Sequence, residues 1–418
     1  STAFMKDNLE TFNEVGIQVP VILGGAALTP RFVHGDCRSV YRGQVVYGRD
    51  AFADLRFMDA LMEAKGAERW DDLHGFLDGP PEGLAWGDTP AAKESEPSQD
   101  LVATDSAAPA EQEAGPEPEH TGIDNAHRSE AVPEETALIP PFWGSQVIRE
   151  EEIDLEAVMA YLDRNALFAG QWQLRKSQEQ SREAYEDMLQ TKAEPVLRHW
   201  LQRCLEERLL SPRVAYGYFP CAREGNALLV FDPAPLSSGA PATDAHTVLG
   251  RFALPRQKGG NRYCIADFYR DLRLSESGQP LATDVLPMQA VTMGEKATTF
   301  AQSLFRADQY SDYLYFHGLA VQMAEALAEW THARIRAELG FAAQEPEALR
   351  DILAQRYRGS RYSFGYPACP NVADSRQQLE WLGAERIGLS MDESDQLEPE
   401  QSTTALVALH SKARYFSA

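Results

Sequence analysis

The sequence has no C-x-x-C pair, and its five cysteines (Cys37, Cys204, Cys221, Cys264 and Cys369) are scattered and odd in number. That excludes a zinc ribbon or a disulfide framework and reads as reduced thiols. No run reaches the ~18 apolar residues of a membrane-spanning helix. Ser1 to Glu10 also lacks a basic stretch followed by an apolar one, so no signal peptide is expected and a cytoplasmic protein is. Basic residues are scarce: 39 Lys and Arg stand against 63 Asp and Glu, a formal net charge of -24. A clustered basic face able to release phosphate counterions is therefore not expected, and nucleic acid is a poor partner.

Aromatics are missing from one long stretch. Ala91 to Ala137 holds no Phe, Trp or Tyr, but twelve Asp and Glu against two Lys and Arg. Such a segment cannot bury enough apolar surface to offset its ordering entropy, and a disordered acidic linker is expected over 78–138. Its ten net negative charges make much of the acidity a property of the tether.

What is present is a chain of 418 residues, 44% hydrophobic, long enough for two or three domains. Residues 1–77 read as helix (Ala3 to Val15), strand (Val19 to Leu23), Gly-Gly turn, helix, strand (Val45 to Tyr47) and a helix with Phe52, Leu55, Met58 or Asp59, and Met62 on one face. This alternation predicts βα units of a parallel, Rossmann-like α/β sheet. Two parallel strands cannot bury both sheet faces, and the chain opens at Ser1, so the leading half of this domain is expected outside these residues.

Residues 139–418 read as an α+β domain with antiparallel strands and long helices. Helices are predicted at Leu155 to Phe168 and Glu183 to Leu209, with Pro195 kinking or dividing the second. Arg213 to Phe219 and Ala227 to Phe231 predict a hairpin, and further strands are expected at Leu286 to Thr292, Ile387 to Ser390 and Ala405 to His410. Asp312 to Leu339 predicts a long amphipathic helix bearing Leu314, Gly318, Val321, Ala324, Leu327 and Ile335 near one face.

Several motifs carry chemistry. Gly24-Gly25-Ala26 follows an apolar strand, where bare backbone suits either a tight turn or the close approach of a ligand. Arg361-Tyr-Ser-Phe-Gly-Tyr-Pro-Ala-Cys-Pro370 sets a guanidinium beside a loop stiffened by Pro367 and Pro370. Such an arginine forks onto a carboxylate, or else sits in a surface ion pair. Glu325 and Glu329 share a helix face and read as a solvated acidic stripe, and Cys369 as a packed small residue.

In order along the chain, these blocks resemble cobalamin-dependent methionine synthases. Val19 to Ala26, Tyr41 to Tyr47 and Asp50-Ala51 resemble the second half of the cobalamin-binding domain. Arg361 to Pro370 resembles the R-x-x-x-G-Y-P-A-C-P signature of the activation domain, as do Ile139 to Gly144 (IPPFWG), Leu167-Phe168 with Trp172, Arg213 to Pro220, Ile265 to Phe268 and Met323 to His332. The resemblance implies S-adenosylmethionine binding by Arg361, Gly365, Tyr366 and the closing aromatics Tyr415 and Phe416, where Phe416 stands for the second tyrosine of some relatives. It also implies a carboxylate near the first helix: one register places it at Asp163, the other lands on Arg164, and a cationic ligand group favours Asp163. Gly24, Gly25 and Ala51 would contact cobalamin. The family's cobalt-ligating D-x-H-x-x-G motif does not occur, and His34-Gly35-Asp36 does not match it, so poor cobalamin binding and no metal ligand are expected.

The function so implied is reactivation within an enzyme that moves a methyl group from methyltetrahydrofolate to homocysteine through methylcobalamin. S-adenosylmethionine would donate the methyl group and a flavodoxin-like or other flavoprotein reductase the electron, the other domains of the enzyme being further partners. No catalytic side chain is implied here, and zinc would belong to an N-terminal part outside this chain. A non-catalytic S-adenosylmethionine sensor and an acidic scaffold are the competing readings.

Overall fold

The computed structural model describes residues 2–17, 19–24, 32–48, 57–58, 60–62, 64, 127–176, 180–236 and 246–418. Gly25, Ala51, Phe52, Leu55 and residues 78–126 of the expected linker lie outside them.

In the N-terminal part, helix α1 (Thr2–Glu14) precedes strand β1 (Val21–Gly24), which pairs in parallel with β2 (Val45–Gly48). The parallel pairing is the one expected from the βα alternation. Leu9, Val33, Cys37, Tyr41 and Val45 are buried together, and Val46 packs with Phe57 and Ala64. Gly24 and Gly48 are partners at the carboxyl ends of the two strands, the edge where open α/β sheets bind ligands.

The larger part is built on an antiparallel sheet of seven described strands. Its order is β8 (Ser360–Tyr362), β9 (Ser402–Ala408), β7 (Asp284–Thr292), β4 (Arg213–Glu224), β5 (Ala227–Phe231), β6 (Val248–Ala253). Strand β3 (Gly144–Ile148) shares an edge of β4 with β5: it pairs with Val214 to Tyr218, and β5 with Cys221 to Glu224. Alternation along the strands sends side chains into two separate cores. Val214, Tyr216 and Tyr218 face a helical layer, whereas Ala215, Phe219 and Cys221 face a layer that includes α7 (Asp374–Leu382).

The helical layer contains α2 (Leu155–Met159), α3 (Arg182–Met188), α4 (Glu194–Glu206), α5 (Glu295–Arg306) and the central α6 (Tyr310–Glu338). Helix α6 is buried nearly all round, not along one stripe as the spacing predicts, because it lies between the sheet and the other helices. At Gly318 an added Cβ would come within 2.9 Å of the Gln171 side chain, so glycine lets the turn bearing Trp172 close onto α6. Trp172 is fully buried and donates from Nε1 to the Tyr315 carbonyl at 3.1 Å.

Three expectations are corrected. The helix predicted over Leu155 to Phe168 stops at Met159 and resumes as a wide turn at Ala166–Gln171, because Asp163 Oδ1 accepts from the Asn165 and Ala166 amides and caps a new start. The predicted strand at Ile387 to Ser390 is a 3-10 turn (Ala384–Ile387) followed by the short strand Ser390–Met391. The linker expected to run to residue 138 ends sooner: residues 127–138 pack against the α+β domain, with Val132 fully buried. The second helix runs without a break from Arg182 to Glu206 and does not divide; instead it widens by one residue per turn at Leu189–Ala193, just before Pro195, whose missing N–H disturbs the regular hydrogen-bond ladder.

Candidate functional site

Strand β8 brings Arg361 against α6. Arg361 is paired with Val407 of β9 and points to the helical face, while its neighbour Tyr362 points into the opposite core. The guanidinium Nη1 donates to Glu329 Oε2 at 2.5 Å. Among the described residues Nε and Nη2 have no hydrogen-bond partner, and 19% of the side chain is accessible. One edge of the planar fork is thus held by the protein and another is left over.

Glu329 is buried, not solvated as its place on a polar stripe predicts. It also accepts from the Tyr357 hydroxyl at 2.9 Å and from Arg336 Nη2 at 3.3 Å. Arg336 is fully buried, is held on its other side by Glu345 at 2.8 Å, and lies 3.7 Å over the Tyr357 ring. Two carboxylates, Glu329 and Glu345, thus balance two guanidiniums, Arg336 and Arg361, although Arg336 Nη1 has no hydrogen-bond partner among the described residues. Burial works to lower the Arg361 pKa, but the Glu329 carboxylate outweighs it, so the net shift is upward and the group stays charged. Burial, then the charges of Arg336 and Arg361, push His332 well below the ordinary imidazole range. Its two ring nitrogens find no partner.

Glu325, Glu329, His332 and Arg336 recur at i, i+4, i+7 and i+11, so they line one face of an otherwise apolar helix. That pattern was the available signal for Glu329, His332 and Arg336. Nothing local marks Tyr357, which reaches Glu329 only through the fold.

The loop after β8 is a tight turn. Gly365 has φ +96°, its amide donates to the Cys369 carbonyl, and the Cys369 amide donates to the Tyr366 carbonyl, both at 2.9 Å. A non-glycine residue would be strained at that φ. Burial pushes the Cys369 thiol up to about 12, which fits a packed, unreactive residue. Tyr366 and Tyr415 are exposed at 38% and 47%. Phe416, expected beside the ligand, is instead buried against Tyr263, Phe268 and Tyr362, in the core opposite the Arg361 guanidinium.

Asp163 uses only Oδ1 in its cap, whereas Arg164 forks onto Glu194 at 2.8 and 2.9 Å. Tyr161, two residues before Asp163, has its pKa raised by burial and then by the Glu329 and Glu345 charges, which places this segment near the cluster. In the N-terminal part, His34 sits in a half-buried turn where burial and Arg38 lower its pKa. No cluster of three or more His, Cys, Asp or Glu able to hold a metal occurs among the described residues. No described helix is long and apolar enough to cross a membrane.

These features set the class: an α+β domain in which a fixed, half-partnered arginine stands beside a glycine-turn loop, an arrangement able to pair with a carboxylate. The match is more specific than that. Residues 154–418 match the model of the vitamin B12 dependent methionine synthase activation domain, and the chain belongs to that family. It is 40% identical over 427 aligned positions to methionine synthase of Mycobacterium tuberculosis, covering 100% of this chain and 34% of that protein. It is likewise 40% identical to methionine synthase of Mycobacterium leprae, covering 100% and 33%. The chain thus spans about a third of the length of these relatives. A crystal structure of the MetH reactivation domain bound to AdoHcy matches with a TM-score of 0.55 at 24% identity, over 68% of this chain and 83% of that one. At that identity the likeness speaks for the fold.

Proposed function

We propose that this chain is the reactivation module of a cobalamin-dependent methionine synthase and that Arg361 anchors S-adenosylmethionine by its carboxylate. The observation that carries this reading is the half-used guanidinium: Glu329 holds Nη1, and the donors on Nε and Nη2 remain for a ligand. A carboxylate placed there gains charge-assisted hydrogen bonds from a fork already fixed in orientation. The Gly365 to Cys369 turn offers backbone groups for the rest of the amino-acid moiety. The exposed Tyr415 ring suits an adenine or a sulfonium. Asp163 Oδ2, unused by the cap, is the carboxylate available for the ligand ammonium. The structural relative holding AdoHcy, the demethylated form of this ligand, points the same way.

In the whole enzyme, cobalamin supplies a nucleophilic cobalt that takes the methyl group. Gly24 and Gly48 stand side by side at the carboxyl ends of β1 and β2, and Gly24, Gly25 and Ala51 are assigned to cobalamin by the family resemblance. This chain's own task is positioning, not proton transfer. A flavodoxin-like or flavoprotein reductase supplies the electron, and the folate and homocysteine chemistry belongs to other parts of the longer relatives.

Calorimetric titration of the full chain with S-adenosylmethionine tests the reading. One-to-one binding, weakened by roughly tenfold to a hundredfold or more in Arg361→Ala, is expected. No binding would leave a scaffold. Binding without methyl transfer to an added, intact cobalamin domain would make the chain a sensor.

A further inference from the structure

Residues 127–138 form a short strap that crosses the α+β domain next to the site. Arg128 donates to the Asp267 carbonyl, to the Tyr269 carbonyl at 2.6 Å and to Asp271 at 3.1 Å. The Ser129 amide donates to Asp267 Oδ2 at 3.2 Å, and Val132 is fully buried. These contacts dock the strap; they do not reach the ligand site.

Glu135 does something different, because its carboxylate joins two other segments of chain. Arg358 Nη2 donates to it from the segment that runs into β8, three residues before Arg361. From the other side the Ser411 amide donates at 3.3 Å, with the Ser411 hydroxyl also bonded, four residues before Tyr415. The two segments are tied to each other as well, by Arg358 Nε on the Leu409 carbonyl at 2.8 Å and by the Tyr362 hydroxyl on the Arg414 carbonyl at 2.7 Å. The strap reinforces the junction through His410: Nε2 lies 2.7 Å from the Pro133 carbonyl, and Nδ1 accepts from the Lys412 amide at 3.0 Å. Both ring nitrogens are thus satisfied in one neutral tautomer.

We propose that Glu135 is a positioning residue for the ligand site, a clamp through which the docked strap holds the Arg361 strand and the Tyr415 tail in register. The proposal rests on the S-adenosylmethionine reading of that site. The strap directly follows residues that join the two parts of the chain, so its seating links the path of that connection to the geometry of the site. Burial opposes ionisation of Glu135, but Ser411, His410 and Arg358 together hold its pKa below the ordinary carboxylate value, as a clamped carboxylate requires.

The test uses the full chain and three variants: Glu135→Ala, Glu135→Gln, which keeps the shape should the alanine form fold poorly, and Glu134→Ala, which removes only half-exposed pairs with Arg270 and Arg273. Two quantities are read: the Kd for S-adenosylmethionine and amide hydrogen exchange over residues 358–362 and 410–416. Glu135→Ala is expected to raise the Kd by about fivefold to thirtyfold and to speed exchange in both segments, with Glu135→Gln between it and the parent and Glu134→Ala unchanged. A Kd within twofold of the parent together with unchanged exchange would overturn the proposal, and so would equal losses in Glu134→Ala and Glu135→Ala. If the parent itself fails to bind, the S-adenosylmethionine reading falls, and exchange alone then decides whether Glu135 clamps the two segments.

Discussion

Arg361 has to stay charged in a largely enclosed place and yet keep donors available, and Glu329 reconciles the two demands. It cancels the charge through one nitrogen and aims the others. Charge-assisted hydrogen bonds of the kind proposed contribute about 1.5–3 kcal/mol, so Arg361→Ala should weaken S-adenosylmethionine binding by roughly tenfold to a hundredfold or more. Arg361→Lys should restore only part, since an ammonium has no planar fork. A twofold change or less, measured by calorimetry on folded protein, would make Arg361 purely structural. Glu329→Ala should show a second effect, on stability: it strips a buried partner from both Arg336 and Arg361, and such a loss costs about 3–5 kcal/mol. Urea unfolding reads it, and a cost below about 1 kcal/mol would mean that the ion-pair cluster is well hydrated in solution.

Among the elements, the strap and the central helix decide how the site is held. Helix α6 carries Glu329 together with His332 and Arg336, so a shift of the helix moves the carboxylate that holds Arg361 along with the charges around it. The strap bears two groups that acid should disturb. Glu135 has its folded pKa below the ordinary 4.5, so its contribution is present above that value and lost as pH falls through it. His410 has its pKa lowered, chiefly by burial, so the unfolded form takes up protons first and stability drains as pH falls below 6.5. Both shifts have the same sign. Amide protection across 127–138, corrected for the intrinsic pH dependence of exchange, should therefore decline between pH 7 and pH 4 before protection in β4 and β7 does. Constant strap protection down to pH 4 would show that the neutral His410 contact does not hold the strap, whereas the Glu135 contribution is lost only below 4.5, as pH falls through its lowered folded pKa.

At the scale of the molecule, the chain joins a parallel βα unit to an antiparallel activation domain of the methionine synthase family, and it spans about a third of the length of its relatives. The D-x-H-x-x-G motif is absent from the 418 residues, and among the described residues His34 belongs to no metal-binding cluster. Added cobalamin should therefore not acquire a histidine ligand from this chain. Absorption spectra at stoichiometric protein decide the point, and the bands of a histidine-ligated form would show that another residue substitutes. Methyl transfer should accordingly require an intact cobalamin domain supplied separately, together with a reductant.

Much of this was legible without coordinates, for reasons that are local. The period-two run of Val214 to Phe219, the apolar strands around Gly24 and the long helical run after Tyr310 specify their own elements, and the Arg361 to Pro370 signature pointed to the family. Contacts between distant residues were not legible. A carboxylate on a helix looks the same in sequence whether it faces water or an arginine 32 residues away, so only the packing of α6 against β8 turned Glu329 into a buried partner. Phe416 was expected beside the ligand from its resemblance to the family's closing aromatic pair, but the opposite core holds its ring through Tyr263, Phe268 and Tyr362. The end of the acidic linker followed the same rule: composition alone gave 127–138 no reason to fold, and it is ordered by Asp267, Arg358 and Ser411, which lie more than 130 residues further along the chain.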